Sequence, residues 1–284
     1  MKFISPLILA LAAAYPDLTV TNTVGLTASA TSASISLTSA SINSLLTLQS
    51  GETTASNWIW KASGGGGFNL ATNQNVWTWP VNLSCVGQWV GMYEAVLLTP
   101  SVALGNSHFS PQASLWFCGS GGIMHTSNVA ELASDGDIML YTLASPMPSD
   151  VTPCWVFGPD LPNRTPDGTC DGLVGVWPHN NNGKMDMVYL FGSVNSGSLG
   201  GPAISFAVAS TNSFGNDTQP ASGGDSGAPV IVIVSNLPVV VGTLTSPSEL
   251  TDISNPNGWS FLTNYVPVPT LQVLPTQFFQ QQNP

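Results

Sequence analysis

The segment Gly223-Gly224-Asp225-Ser226-Gly227-Ala228-Pro229 runs directly into the β-branched stretch Val230-Ile231-Val232-Ile233-Val234. A serine between glycines can sit on a sharp turn, with backbone N–H groups facing a developing oxyanion. Attack by that hydroxyl needs a base, and imidazole is the side chain that exchanges protons near neutrality. The chain has three histidines, His108, His125 and His179, all upstream of Ser226. His108 closes the run Leu97 to Ser107 and is the candidate base, although a histidine after an apolar run also reads as a core residue. Asp137 stands at the head of the alternating stretch Ile138 to Leu143 and is the candidate partner of that base, with Asp135 two residues earlier as a competitor. His125 and His179 read as surface or structural residues, and Asp160, Asp167 and Asp171 as solvated or weakly cation-binding. The Gly-Asp-Ser-Gly run also admits a bland reading, an ordinary turn between strands.

For these residues to meet, the chain between them must fold back on itself, and its text reads as strands. Val76–Leu83, Glu94–Thr99, Ser114–Cys118, Ile138–Leu143, Met187–Phe191, Ile204–Val208, Val230–Val234 and Val239–Leu244 are rich in β-branched or aromatic residues and bounded by turn signals. Sustained helical periodicity is absent, so the expectation is an all-β fold, a sandwich or a pair of barrels. The chain has 284 residues, 43% hydrophobic and only 7% charged, against about a quarter charged in an ordinary soluble domain. It can bury a sizeable core and is not a charge-rich disordered chain. Four Lys+Arg against 15 Asp+Glu give a formal charge of -11, which leaves no basic stripe for a phosphate backbone and excludes nucleic acid as a partner.

Residues 1–14 combine Lys2, a short apolar run and the small residues Ala12, Ala13 and Ala14, the layout of a signal peptide; a buried first strand is the competing reading. The run is too short to span a bilayer, and Val230–Val241 is broken by Ser235, Asn236 and Pro238, so no membrane span is expected. Residues 15–67 are Ser/Thr-rich and β-prone, fitting a pro-segment, a stalk or extra strands, with Gly64–Gly67 as a flexible joint before a domain over residues 68–284. Cys85, Cys118, Cys154 and Cys170 lack the CxxC spacing of a zinc site, and no metal or other cofactor is expected. Two disulfides in an oxidising, extracellular compartment fit better. Cys154 with Cys170 would close the Pro/Gly-rich loop between them, which leaves Cys85 with Cys118. Asn82, Asn163 and Asn216 head glycosylation sequons.

The order His, Asp, Ser excludes the α/β-hydrolases, whose triad runs Ser, Asp, His and whose elbow has Gly where this chain has Ala228. A subtilisin-type serine opens a helix, whereas Ser226 runs into a strand. On an all-β scaffold, the chain resembles the chymotrypsin/trypsin-like serine peptidases. Gly224 to Pro229 is similar to that family's Gly-Asp-Ser-Gly-Gly-Pro box with Ala228 for the last glycine, and Leu97–Pro100 through Ala103–His108 to its Ala-Ala-His segment. Asp137 to Leu143 resembles its Asp-Ile-x-Leu-x-x-Leu segment, Trp79–Leu83 its opening strand, and Val240–Thr243 the strand after the serine box.

The resemblance implies two six-stranded antiparallel β-barrels of chymotrypsin-like type, and a secreted, monomeric endopeptidase acting on polypeptides. Ser226 would be the nucleophile, His108 the base and then acid, Asp137 the residue that fixes the imidazole tautomer, and the N–H groups of Gly224 and Ser226 the oxyanion hole. Pro220 would floor the side-chain pocket, and Thr245, Ser246 and Pro247 would pair with substrate backbone, although Pro247 has no N–H to give. Without an Asp at 220, a preference for Lys or Arg is not expected unless Glu249 or Asp252 reaches the pocket. Asp225 would pair with an N-terminal amine released by cleavage, yet no Ile-Val-Gly-Gly start is present, and Lys61 is the one basic residue between Lys2 and Arg164. Two departures stand out: Phe109 and Ser222 replace customary cysteines, and only twenty-nine residues separate His108 from Asp137, which implies a trimmed first barrel. Two rival readings lack the chemistry: a catalytically silent binding module with the same fold, and a structural, low-charge extracellular β-protein in which Gly-Asp-Ser-Gly is accidental.

Overall fold

The computed structural model describes residues 19–22, 33–36, 61–63, 67–69, 81–89, 94–109, 113–119, 123–158, 173–178, 185–208, 224–234 and 237–274. Near the N-terminus, β1 (Thr19–Asn22) pairs with β2 (Ala33–Ser36), and β3 (Lys61–Ser63) with β4 (Gly67–Asn69). Of the glycine run expected as a flexible joint, Gly67 pairs with Ser63 and residues 64–66 lie outside the described residues.

Six strands then form a closed antiparallel barrel: β5 (Val86–Trp89), β6 (Glu94–Thr99), β7 (Val102–Asn106), β8 (Ser114–Cys118), β9 (Met124–Asp135) and β10 (Ile138–Leu143), in the order β10-β7-β6-β5-β8-β9. Of the strand expected at Val76–Leu83, residues 76–80 lie outside the described residues. Residues 81–83 are irregular and pairing starts at Val86. The short spacing from His108 to Asp137 is met by tight connections rather than missing strands. Gly136 and Asp137 alone separate β9 from β10, and Gly136 takes φ +57, where a Cβ would overlap the backbone of Gly200. Leu97, Leu104, Leu115, Ile138 and Leu140 are fully enclosed, each contributing about 1.5–3 kcal/mol by leaving water. The Trp89 ring meets Tyr141 edge-on at 5.1 Å. β6 is buried at every position, as expected for a strand covered on both faces.

The second half comprises β11 (Trp155–Phe157), β12 (Leu173–Pro178), β13 (Met185–Val194), β14 (Ala203–Val208), β15 (Pro229–Val234), β16 (Leu237–Ser246), β17 (Glu249–Thr251) and β18 (Gln272–Leu274). Pairing runs β15-β12-β13-β14-β17-β16 and returns through β15–β16, so six antiparallel strands make a second closed circuit. β11 joins β16 and β18 by parallel pairing at its side. The all-β, two-barrel expectation therefore describes the architecture. The barrels meet where β7 packs on β16 and β6 on β15.

Among the described residues one α-helix, α1 (Pro256–Tyr265), departs from the all-strand expectation. Its cue is local: the Asn255 side chain accepts from Asn257 N–H, and Pro256 stands in the first turn. Asp252 adds a carboxylate that accepts from Ser254 N–H, Ser254 Oγ and Asn255 N–H. No described helix is long and apolar enough to cross a membrane.

The expected disulfides are not formed. Cys85, Cys118 and Cys154 carry free thiols, while Cys170 lies outside the described residues. In the β5–β8 ladder Gly87 faces Phe117, so Val86 falls opposite Cys118 and Cys85 is one residue out of step, its side chain on the other face. Cys118 Sγ turns to the Gly119 carbonyl, and Cys154 Sγ donates to the Pro238 carbonyl with the Cys85 thiol as neighbour. Burial and the charge of Asp150 push the Cys118 thiol up to about 11.

Candidate active site

The two barrels bring His108, Asp137 and Ser226 together. His108 follows closely on β7, Asp137 precedes β10, and Ile138 pairs with Asn106 across those two strands, so the ladder itself sets base and carboxylate side by side. His108 Nδ1 lies 2.8 Å from Asp137 Oδ1 and 2.9 Å from Oδ2, and His108 Nε2 lies 2.7 Å from Ser226 Oγ. Of the two aspartates weighed in the sequence, Asp137 meets the imidazole. Asp135 instead lines a polar cleft with Asn195, Asn257 and Tyr265.

Asp137 is almost wholly enclosed, its side chain 2% exposed against 27% for His108. Burial alone would raise its pKa. Hydrogen bonds from His108 and Asn106, with the imidazolium charge and a contribution from Thr245, outweigh burial and hold the carboxyl below its usual range. The N–H groups of Ser107 and His108 add bonds to Oδ1 at 3.2 and 3.0 Å. Asn106 donates from Nδ2 to Asp137 Oδ2 at 2.5 Å and to Thr245 Oγ1 at 3.2 Å, while Tyr141 donates its hydroxyl to the Asn106 carbonyl. An ionised Asp137 keeps the imidazole proton on Nδ1, and Nε2 is then the basic nitrogen facing Ser226.

Ser226 sits on the tight turn entering β15. Ala228 N–H closes it onto the Asp225 carbonyl at 3.0 Å, and Gly227 N–H reaches the Leu244 carbonyl of β16 at 3.0 Å. Gly224 and Gly227 take φ +105 and +85, and a Cβ on Gly227 would overlap the Glu94 carbonyl oxygen. The Glu94 N–H donates to the Ser226 carbonyl at 3.3 Å, tying the turn to the first barrel. Gly224 and Ser226, the expected oxyanion donors, both lie on this turn.

The expected substrate-binding residues divide. Pro220 lies outside the described residues, as do His179, Asp160, Asp167 and Asp171. Thr245 is buried, and its hydroxyl accepts from Asn106 beside Asp137. Ser246 ends β16 with its Oγ accepting from Ser248 N–H at 3.4 Å, and Pro247 is exposed in the turn that follows. Glu249 accepts from the backbone N–H of Ser198 at 3.0 Å and from the Ser198 hydroxyl, and Asp252 is committed to the start of α1. His125 pairs with Asp150 at 2.9 Å, a structural contact as expected. Asn106, the role of Thr245, and Glu94 escape sequence reasoning. All three act across strands distant in sequence, and no local motif marks them.

No family model and no curated protein matches the chain. Among solved structures it is similar to a murine norovirus NS6 protease, at 16% identity over 60% of this chain and 91% of that one, with a TM-score of 0.39. Deg5 shares 12% identity over 71% of this chain and 96% of that one, at a TM-score of 0.45. The Rv3671c protease of M. tuberculosis shares 14% over 63% and 87%, at 0.43. Likeness at this level assigns no family, and the chemistry of the site stands on its own geometry.

Proposed function

We propose that the protein is a serine endopeptidase with a chymotrypsin-like mechanism. The observation that carries this reading is the continuous relay from Ser226 Oγ through His108 to the buried Asp137. In it, Nε2 of His108 takes the Ser226 proton as Oγ attacks the peptide carbonyl carbon. The imidazolium, held by ionised Asp137, then protonates the departing amine and leaves an acyl-enzyme, which water hydrolyses by the same steps in reverse. Backbone N–H groups of Gly224 and Ser226 receive the oxyanion.

A polypeptide substrate and a monomeric enzyme belong to this reading. Secretion is also part of it, supported by the pattern of residues 1–14 alone, since the three free thiols withdraw the argument from disulfides. The test is digestion of unfolded casein by the purified protein. Wild type produces fragments, while Ser226→Ala, folded by circular dichroism, produces none. Equal digestion by both would overturn the proposal, and a folded, inert wild type would leave the silent binding module in its place.

A further inference from the structure

Beneath the nucleophile turn lies a carboxyl that the triad does not use. Glu94, the first residue of β6, is fully buried, and neither of its carboxyl oxygens has a hydrogen-bond partner among the described residues. Its backbone is fastened to the turn on both sides: its N–H donates to the Ser226 carbonyl, and its own carbonyl packs where a side chain on Gly227 would stand. The charge facing it is that of Asp225, the residue immediately before the nucleophile. From the other elements packed around it, β5 presents the neutral Gln88 across the ladder and β7 the backbone of Gly105.

An ionised carboxylate with no partner in such a place would be an uncompensated buried charge close to the charge of Asp225. Burial first, and the Asp225 charge second, push the Glu94 carboxyl well above its ordinary range, so the neutral acid is the form the fold holds. We propose that Glu94 is a positioning residue for Ser226, seating the Gly224–Gly227 turn as the neutral acid and disturbing it through Asp225 when it ionises. This rests on the reading of Ser226 as nucleophile. Its consequence is an alkaline limit on the site. Once Glu94 loses its proton, two carboxylates repel under the turn, drawing Ser226 Oγ away from His108 Nε2.

The test measures the second-order rate of Ser226 phosphonylation by a fluorophosphonate from about pH 6 to about pH 10, in wild type and Glu94→Gln, since a positioning group must show itself in the pH profile. Wild type should rise and then fall, and Glu94→Gln should lose the fall, so that its rate ratio between about pH 9.5 and about pH 7 exceeds that of wild type at least about fivefold. In parallel, thermal unfolding of Ser226→Ala against Ser226→Ala/Glu94→Gln reads the same group without chemistry. A folded state that keeps a proton the unfolded chain has lost weakens as pH rises toward the folded pKa. Between about pH 5 and about pH 8, Ser226→Ala should therefore lose stability with rising pH more steeply than Ser226→Ala/Glu94→Gln. A falling limb that survives in Glu94→Gln, with equal unfolding slopes, overturns the Glu94 proposal and leaves the peptidase reading intact. A folded wild type that reacts at no pH overturns both.

Discussion

Asn106 and Asp137 form the shortest polar contact within the site, Nδ2 to Oδ2 at 2.5 Å, and both residues are buried. The same amide bridges to Thr245 on β16, so one residue of the first barrel holds the carboxylate and reaches a strand of the second. Hydrogen bonds to a charged group are worth about 1.5–3 kcal/mol. Asn106→Ala should therefore lower kcat about tenfold to a hundredfold, with KM little changed because no substrate is touched. Steady-state kinetics on a peptide substrate check this, and an unchanged kcat would remove Asn106 from the account.

Asp137→Asn should cost about 10⁴-fold in kcat, the loss that follows when the carboxylate of the serine-protease template is replaced by an amide that favours the wrong tautomer. The same variant tests the electrostatics. Asp137 is held below its ordinary range, so it adds stability above the unfolded carboxyl pKa and loses it as pH falls through the folded value. Wild type should therefore destabilise on acidification more steeply than Asp137→Asn, as followed by urea unfolding between about pH 5 and about pH 2. Parallel slopes would contradict the bonding described for this carboxyl.

The cysteine assignment predicts thiols at Cys85, Cys118 and Cys154. Raised thiol pKa values at Cys118 and Cys154 and burial of all three mean that the native protein resists iodoacetamide at neutral pH. Unfolded without reductant, it should be alkylated at each. A peptide joined through Cys85 and Cys118 would contradict the β5–β8 register.

How far the sequence reaches is visible residue by residue. The Gly224–Pro229 turn and the alternation after Asp137 are local patterns, and β6, β8 and β10 fall on the stretches that β-branched and aromatic residues mark. The disulfide expectation fails because pairing depends on which face a side chain takes, and a one-residue offset between Cys85 and Cys118 reverses it. Residues 81–83 stay irregular while β5 opens at Val86, where β6 and β8 supply the partners that composition does not specify. The Thr245 hydroxyl is claimed by Asn106, 139 residues earlier. No spacing rule anticipates that contact.

Specificity follows from the carboxylates near the end of β16. Glu249 is engaged by Ser198 and Asp252 by Ser254 and Asn255, so neither supplies a counter-charge to a buried Lys or Arg of a substrate. An unpaired buried cation is heavily penalised. Products of a peptide-library digest should carry uncharged residues on the N-terminal side of the cut, and dominant cleavage after Lys or Arg would contradict this.

The central claim is that Ser226 is an activated nucleophile, and a fluorophosphonate probe tests it most directly, because phosphonylation requires a serine whose proton can be taken. After labelling of the folded protein at about pH 7.5 and peptide mass mapping, the account predicts one adduct, on Ser226, absent in Ser226→Ala and reduced by at least about a thousandfold in rate in His108→Ala. A folded protein that takes no label, or takes it with undiminished rate when His108 is removed, would contradict it.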